Sequence, residues 1–176
     1  GISGMGWNFR ILPVRATIDN IGSAYEDDLI EGVLWAAEHG ATVVNCSFSG
    51  IGGQVHEDAG AALHAMNVSL CWSAGNSAEN WWSWDLPSVM VIGASDAYDD
   101  RASFSCFGRG VTVFAPGVAI LSTVMNGGYE AWSGTSMASP VAAGALGLIR
   151  SVNASISAEQ AEHVLKFSCD MWGGSR

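Results

Sequence analysis

Short apolar runs rich in β-branched residues alternate with helical patterns along this chain, and this alternation constrains the fold more than any other feature. Five runs predict strands, at residues 10–16, 42–46, 68–72, 89–93 and 111–114. Strands that alternate with helices form βαβ units on a parallel sheet. The pattern therefore predicts an α/β domain with a mostly parallel sheet. Because no linker, repeat or low-complexity segment interrupts it, we expect one domain over residues 1–176.

Capping patterns predict where two of the helices begin. Ser23 precedes Glu26 by three residues, and Ser157 precedes Gln160 by the same spacing, as in a capping box. We therefore expect helices that start at Ser23 and at Ser157. Two further predictions are a helix over residues 55–66 and a β-ribbon over residues 119–132, which turns at Asn-Gly-Gly.

The charge balance excludes one class of partner, and the hydropathy excludes another. The chain has 17 acidic and 7 basic residues, a formal net charge of −10. Without a basic patch to neutralise phosphates, we expect no nucleic-acid partner. No apolar run reaches the roughly 18 residues that a membrane-spanning helix needs, so we expect no membrane partner. The chain starts at Gly1 without a signal pattern, which is typical of a processed product or of part of a longer sequence.

The segment Ser133-Gly134-Thr135-Ser136-Met137-Ala138-Ser139-Pro140 leads from a small-residue turn into a long apolar helix. Gly134 lets a substrate approach the backbone closely, and Pro140 is tolerated in the first turn of the helix. The free N–H groups of a helix N-terminus would stabilise an oxyanion formed beside Ser136. Taken alone, Ser136 could also be only a helix N-cap.

This segment resembles the nucleophile motif of subtilisin-like serine proteases, and four further segments match that family in the expected order. They are Val-Val-Asn-Cys-Ser-Phe-Ser-Gly at 43–50, Trp-Ser-Ala-Gly-Asn at 72–76, Arg-Ala-Ser-Phe-Ser at 101–105 and Ala-Pro-Gly at 115–117. Five ordered matches across the chain argue against coincidence. The resemblance implies the C-terminal part of a subtilisin-like catalytic domain, with a three-layer α/β/α fold in the intact protein.

The resemblance also implies roles for individual residues. Ser136 matches the nucleophile, and Asn76 matches the side-chain donor to the oxyanion, with the Ser136 N–H as its companion. Residues that match the substrate-binding groups are Ser47, Phe48 and Ser49 on one peptide-binding edge, Ala74 and Gly75 in the wall of the first pocket, and Gly22 and Ser23 on the opposite edge.

Three of these segments have simpler interpretations. Asn76 follows a glycine and could be only a turn residue, and residues 47–50 could be only the exit from a strand. Ser49 stands where the family commonly has a glycine, so its side chain could narrow the approach of substrate. The short aromatic loop Glu-Asn-Trp-Trp-Ser-Trp at 79–84 could be a pocket rim or a packed surface loop, and the sequence leaves both open.

Two parts of the family's catalytic triad are missing from this chain. The Asp-[Ser/Thr]-Gly and His-Gly-Thr-His segments lie N-terminal in the family, and neither occurs here. We expect the four histidines, His39, His56, His64 and His163, to be surface or helix-face residues. The resemblance thus implies a serine endopeptidase acting on peptides or proteins in the intact parent, and an inactive chain when isolated. The alternatives are a non-catalytic pseudoprotease remnant that binds peptides, and complementation by a separate N-terminal segment.

The missing aspartate strand has a consequence for folding. In the family it lies between the strands that match residues 10–16 and 42–46, so we expect the isolated chain to fold poorly.

The resemblance implies no required cofactor and allows a structural calcium in the intact domain, close to residues 1–3. It also implies export from the cytoplasm, by family habit only. Cys46 and Cys71 end apolar runs and are expected to be buried hydrophobes. The spacing of Cys46, Cys71, Cys106 and Cys169 does not pair them into disulfides, and no metal-ligand spacing is present.

Overall fold

The computed structural model describes residues 2–17 and 22–170. The helices are α1 (Glu26–Glu38), α2 (Gln54–Ala65), α3 (Thr135–Val152) and α4 (Ala158–Ser168). The strands are β1 (Val43–Cys46), β2 (Ser69–Ser73), β3 (Met90–Ser95), β4 (Val113–Pro116), β5 (Ile120–Thr123) and β6 (Tyr129–Trp132). A short 3₁₀ turn, Met125–Gly127, joins β5 to β6.

The main sheet has four strands in the order β1-β2-β3-β4, and every neighbouring pair is parallel. The parallel sheet predicted from the alternation of strands and helices is therefore confirmed. Since all four strands point the same way, their carboxyl ends meet at one edge of the sheet, where α/β proteins place their sites. Strands β5 and β6 form a separate antiparallel hairpin, as the sequence predicted.

Helices cover both faces of the sheet, because successive strand residues point to opposite sides. Leu70, Trp72 and Val91 belong to a core that includes α1 and α2, and Cys71 and Ile92 belong to a second core. The second core includes Ala138, Ala142 and Leu146 of α3. Two cores on opposite faces of one sheet give the three-layer α/β/α architecture that was predicted.

Helix α3 lies close to the sheet because it presents small residues to it. Ala138 and Ala142 are buried there, and the helix contacts all four strands of the main sheet. Gly117, just after β4, receives a backbone hydrogen bond from Gly134 to its carbonyl at 2.8 Å. A Cβ on Gly117 would lie 2.6 Å from the Cβ of Ala94 and 2.9 Å from the Gly134 carbonyl. Only glycine fits at position 117. The hydrogen bond between Gly134 and Gly117 holds the turn that precedes Ser136.

Two local predictions are wrong. Residues 10–16 form no strand, and Ile11 is 83% exposed. A strand needs a hydrogen-bonded neighbour, and within the described residues none lies beside this segment. Helix α1 begins at Glu26 with Tyr25 as its N-cap, so Ser23 lies two residues too early to cap it. Three acidic residues in the first turn favour this helix start instead, through the helix dipole.

The other predicted elements are confirmed, with boundaries shifted by one or two residues. Ser157 and Gln160 form both hydrogen bonds of a capping box at the start of α4. Cys46 and Cys71 are buried, and all four cysteines are free. Among the described residues, no helix is long and apolar enough to cross a membrane.

Candidate active site

The carboxyl ends of β1 and β2 meet the N-terminus of α3, and this junction brings together Ser47, Asn76 and Ser136. The three residues line a cavity of about 710 Å³, which we call the serine cleft. Its remaining lining residues come from the β5–β6 hairpin and the turn into α3: Ala131, Trp132, Ser133, Gly134 and Met137. Sequence reasoning did not single out Trp132 or Met137, because neither carries a recognisable signal.

Ser136 is the second residue of α3 and is half-buried. Its hydroxyl donates a hydrogen bond to the Ser47 carbonyl at 3.1 Å. The Ser47 hydroxyl donates in return to the Ser136 carbonyl at 2.9 Å. This reciprocal pair fixes the end of β1 against the start of α3. It also leaves the Ser136 hydroxyl facing a backbone carbonyl, which is too weak a base to remove its proton.

Asn76 is oriented by Thr135. The Asn76 side-chain carbonyl accepts hydrogen bonds from the Thr135 N–H at 2.9 Å and from the Thr135 hydroxyl at 3.0 Å. The Thr135 hydroxyl in turn accepts from the Gly75 N–H at 3.0 Å. With its oxygen held this way, Asn76 has its Nδ2 donor free of any partner within the part of the chain that the structure describes. Thr135 is a positioning residue that the sequence reasoning missed.

The Asn76 amide and the Ser136 N–H lie around the same small space. A Cβ built on Gly134 would lie 3.4 Å from Asn76 Nδ2 and 3.7 Å from the Ser136 nitrogen. Gly134 keeps this space open, and the N-terminus of an 18-residue helix adds its partial positive charge. Two donors that converge beside a serine hydroxyl can stabilise the oxyanion of an acyl-transfer reaction.

Phe48 anchors the edge at residues 47–49. The Phe48 carbonyl points inward and accepts hydrogen bonds from Trp72 Nε1 at 2.9 Å and from Ser73 Oγ at 2.8 Å. The Phe48 side chain packs against the buried core. On either side of it, Ser47 lines the serine cleft and Ser49 lines a second cavity beside it. Phe48 therefore holds the edge in place.

A second cavity, of about 550 Å³, adjoins the serine cleft through Asn76, which lines both. We call it the aromatic pocket. It is lined by Ser49, Gly50, Ile51, Gly75, Asn76, Ser77, Glu79, Trp81 and Trp84. The loop at 79–84 is therefore a pocket rim, which decides between the two interpretations that the sequence left open. Glu79 in this loop and Ile51 were not predicted as site residues.

Three of the predicted substrate-binding residues lie outside both cavities. Ala74 is fully buried behind Gly75, in the core beneath the sheet. Gly22 and Ser23 lie in the exposed loop before α1 and line neither the serine cleft nor the aromatic pocket.

All four histidines lie in or beside helices and have partners away from Ser136. His39, at the end of α1, hydrogen-bonds to the Trp35 carbonyl, and His163 in α4 stacks on Phe167. His64 pairs with Glu162, and the buried His56 hydrogen-bonds to the Gly52 carbonyl at 2.7 Å. His39, His64 and His163 are surface or helix-face residues as predicted, whereas His56 is buried in α2 against Trp72. Within the described residues, none of the four hydrogen-bonds to Ser136.

The buried thiols do not compete with Ser136 as nucleophiles. Burial raises the pKa of the Cys46 thiol to about 12, and burial raises the pKa of Cys71 further. Both therefore remain protonated at neutral pH.

The described residues offer no metal centre. No group of three or more histidine, cysteine, aspartate or glutamate side chains is close enough there to hold an ion. The first ten residues contain no carboxylate, so the calcium that the resemblance allows near residues 1–3 would find few of the ligands it prefers in this chain.

Comparison with known proteins identifies the family. A model of the Subtilase family matches residues 1–170. The chain belongs to the subtilase family. It is 36% identical over 171 residues to the Cell wall-associated protease of Bacillus subtilis (strain 168). The aligned region covers 96% of this chain and 19% of that protein. It is 32% identical over 182 residues to Subtilisin DY of Bacillus licheniformis. That aligned region covers 99% of this chain and 66% of the relative.

Other subtilases extend this relationship to function and structure. The Thermophilic serine proteinase of Bacillus sp. (strain AK1) is 41% identical over 157 residues, covering 86% of this chain and 38% of that protein. The crystal structure of a cold-adapted subtilisin-like serine proteinase superposes with a TM-score of 0.75 at 32% identity, over 84% of this chain and 56% of that one. The chain thus spans between about a fifth and two thirds of the length of these relatives.

Proposed function

We propose that this chain supplies the nucleophile and the oxyanion-binding groups of a serine endopeptidase, whose base and orienting carboxylate come from sequence upstream of Gly1. The observation that carries the proposal is the arrangement of Asn76, Thr135 and Ser136. A serine hydroxyl stands beside two converging N–H donors at the start of a helix. Membership of the subtilase family supports the same reaction class.

The proposed reaction is acyl transfer. The Ser136 hydroxyl oxygen attacks the carbonyl carbon of a peptide bond, while a base takes its proton. The negative charge that develops on the carbonyl oxygen receives hydrogen bonds from Asn76 Nδ2 and the Ser136 N–H. The C–N bond then breaks, the amine leaves with the proton, and water hydrolyses the Ser136 ester.

The isolated chain is proposed to be inactive. The Ser136 hydroxyl hydrogen-bonds only to a backbone carbonyl, and the described histidines are engaged elsewhere. Without a base the serine stays protonated and weakly nucleophilic.

The substrate is proposed to be an extended peptide or protein segment. Residues 47–49 would pair with the substrate main chain, as an added strand does, with the Ser47 groups exchanging their hydrogen bonds to Ser136 for bonds to the peptide. Gly22 and Ser23 are proposed for the opposite edge, from the resemblance. Export is proposed as well, because one relative of this chain is a cell wall-associated protease.

The test uses the complete gene product, meaning the translation of the whole open reading frame that contains this chain. We expect an in-frame Asp-[Ser/Thr]-Gly and a His-Gly-Thr-His upstream, and hydrolysis of a protein substrate such as casein. Ser136→Ala is expected to lower kcat by about 10⁶-fold, the loss measured for the nucleophile of subtilisin itself. Ser151→Ala removes an exposed hydroxyl from the last turn of the same helix and serves as the matched control. Activity that survives Ser136→Ala would contradict the proposal.

The second candidate is a peptide-binding pseudoprotease. It is favoured by one observation, the lack of a base near Ser136 in the described residues. An open reading frame without both upstream motifs, together with peptide binding and no hydrolysis, would establish it in place of the enzyme.

A further inference from the structure

The aromatic pocket combines two indole rings with one carboxylate. Glu79 is the only charged residue among its lining residues, and Trp81 and Trp84 supply its largest side chains. We propose that this pocket binds the cationic side chain of an arginine or lysine in the peptide and so sets the specificity of cleavage. The proposal rests on the proposed function, since it concerns the substrate of the same site.

The loop that carries both tryptophans is tied to the segment 107–110 by main-chain hydrogen bonds. The Trp81 N–H donates to the Phe107 carbonyl at 2.7 Å, and the Phe107 N–H donates to the Glu79 carbonyl at 2.9 Å. The Gly110 N–H donates to the Trp81 carbonyl at 2.8 Å. A Cβ on Gly108 would lie 2.9 Å from the Trp81 nitrogen, so the two segments touch backbone to backbone. The pocket wall is therefore built before substrate binds.

The two indoles lie against each other and together form one aromatic wall of the pocket. A Cβ on Gly75 would lie 3.7 Å from Cη2 of Trp81, which places that ring beside the segment that continues into Asn76. A Cβ on Gly52 would lie 4.0 Å from Cζ2 of Trp84, so the second ring lies near the turn before α2. The ring centroids are 4.6 Å apart and the planes are inclined at 42°. Inclined indole faces attract a cation and pack the methylene groups of its side chain.

Glu79 is placed to complete this site. Its Oε2 atom accepts a hydrogen bond from Trp81 Nε1 at 3.3 Å, which holds the carboxylate next to the indole. Its Oε1 atom accepts no hydrogen bond within the described residues and would pair with a guanidinium or ammonium group. An anionic side chain would be repelled at the same place, and an uncharged one would gain contact with the rings alone.

The charged groups around the pocket do not cancel this preference. Arg101 stacks over the Phe107 ring at 4.5 Å and donates to the Ser105 carbonyl. Arg109 is 3.6 Å from Asp85 in an exposed ion pair. Neither arginine lines the pocket. The formal net charge of −10 adds a weak attraction for basic peptides.

The pocket is within reach of the reacting bond, because Asn76 lines both the pocket and the serine cleft. A peptide whose carbonyl accepts a hydrogen bond from the Asn76 amide can direct the side chain of that residue against the indole faces that line the pocket. The preference would therefore apply to the residue whose carbonyl is attacked.

The experiment measures binding separately from catalysis. The Ser136→Ala variant of the complete gene product is titrated with acetyl-Ala-Ala-Xaa peptides, in which Xaa is arginine, lysine, citrulline, norleucine, phenylalanine or glutamate. Binding is followed by calorimetry at pH 7.5. We expect arginine and lysine to bind about tenfold more tightly than their uncharged counterparts citrulline and norleucine, and glutamate to bind most weakly. Glu79→Gln should remove most of this preference, whereas Glu38→Gln at the exposed end of α1, with the same loss of charge, should retain it.

Three outcomes would overturn the proposal: equal binding of arginine and citrulline, tightest binding of phenylalanine or norleucine, or no binding of any peptide. Hydrolysis by the unmodified gene product separates the two proposals. Cleavage after apolar residues would retain the proposed function and reject the cationic pocket. Arginine-selective binding without any hydrolysis would retain the pocket and reject the enzyme.

Discussion

Thr135 holds the geometry of the proposed oxyanion site through one hydroxyl. That hydroxyl donates to the Asn76 side-chain carbonyl and accepts from the Gly75 N–H. Without it, the Thr135 N–H alone would hold the Asn76 carbonyl, and the Nδ2 donor would be oriented less firmly toward the developing oxyanion. Thr135 touches no reacting atom, so its contribution is to position Asn76.

We therefore expect Thr135→Val in the complete gene product to lower kcat by about ten- to a hundredfold while KM changes little. Thr135→Ser keeps the hydroxyl and should restore most of the loss. Steady-state kinetics on one peptide substrate measures both constants. An equal loss in the serine and valine variants, or a loss confined to KM, would contradict the positioning role.

The ordered sequence motifs predicted two residues of the site that no single residue type would have identified. Ser136 and Asn76 lie where the ordered motifs placed them, and the structure brings them together. Thr135 and Glu79 were missed because their roles come from contacts, and Thr135 meets a partner 59 positions away. No spacing rule reports such a contact. Ala74 was assigned to the pocket wall, yet it is fully buried in the core just after β2 ends.

At the level of elements, His64 of α2 pairs with two carboxylates of α4, the exposed Glu159 at 3.9 Å and the closer Glu162. His64 Nε2 lies 3.0 Å from Glu162 Oε1, and the Glu162 side chain is almost fully buried. The hydrogen bond to Glu162 is the largest cause that raises the pKa of His64 above its ordinary value of 6.5, and burial opposes it. Because the pKa is higher in the folded state, the protonated pair stabilises the fold.

This stabilisation is complete below the pH at which the unfolded histidine titrates, and it is lost as the pH rises through the folded-state pKa. We expect His64→Gln to cost about 1.5 kcal/mol of unfolding free energy at pH 5.5 and clearly less at pH 8.5. Urea unfolding of the complete gene product at the two pH values measures the difference. His163→Gln, at an exposed position of α4, is the matched control. A cost that stays constant or grows with pH would contradict the assignment.

The elements that the sequence predicted correctly are those whose stability is local or whose neighbours are present. The capping box at Ser157 needs only Gln160, and it forms. Strands β2 and β3 have partners on both sides and were placed to within two residues. Residues 10–16 have the apolar pattern of a strand but no neighbour in the described chain, so the pattern alone was insufficient.

In the whole molecule, both edges of the main sheet lack a further strand among the described residues, and β1 forms one of them. Strand β1 pairs with β2 on one side, and no described strand lies on its other side. Apolar side chains in the N-terminal segment are also exposed, with Trp7 at 90% and Ile11 at 83%. An unpaired edge and exposed apolar residues each favour association with other chains.

We therefore expect residues 1–176, expressed alone, to aggregate or to unfold without a single cooperative transition. Adding the upstream segment, in the same chain or as a separate polypeptide, should give a monomer that unfolds cooperatively. Calorimetry and size-exclusion chromatography, with the complete gene product as reference, make the comparison. A monomeric, cooperatively unfolding 176-residue chain would contradict the inference that the edge needs a partner.

The most direct test of the central claim, that Ser136 is an activated nucleophile, is covalent labelling of the complete gene product with a fluorophosphonate. Such reagents form a stable adduct only with a serine whose proton is removed by a base, and peptide mass spectrometry locates the adduct. We predict one adduct per chain, on Ser136, and none in the Ser136→Ala variant or in residues 1–176 alone. An unlabelled Ser136 in the complete gene product, or an adduct on another serine, would contradict the account.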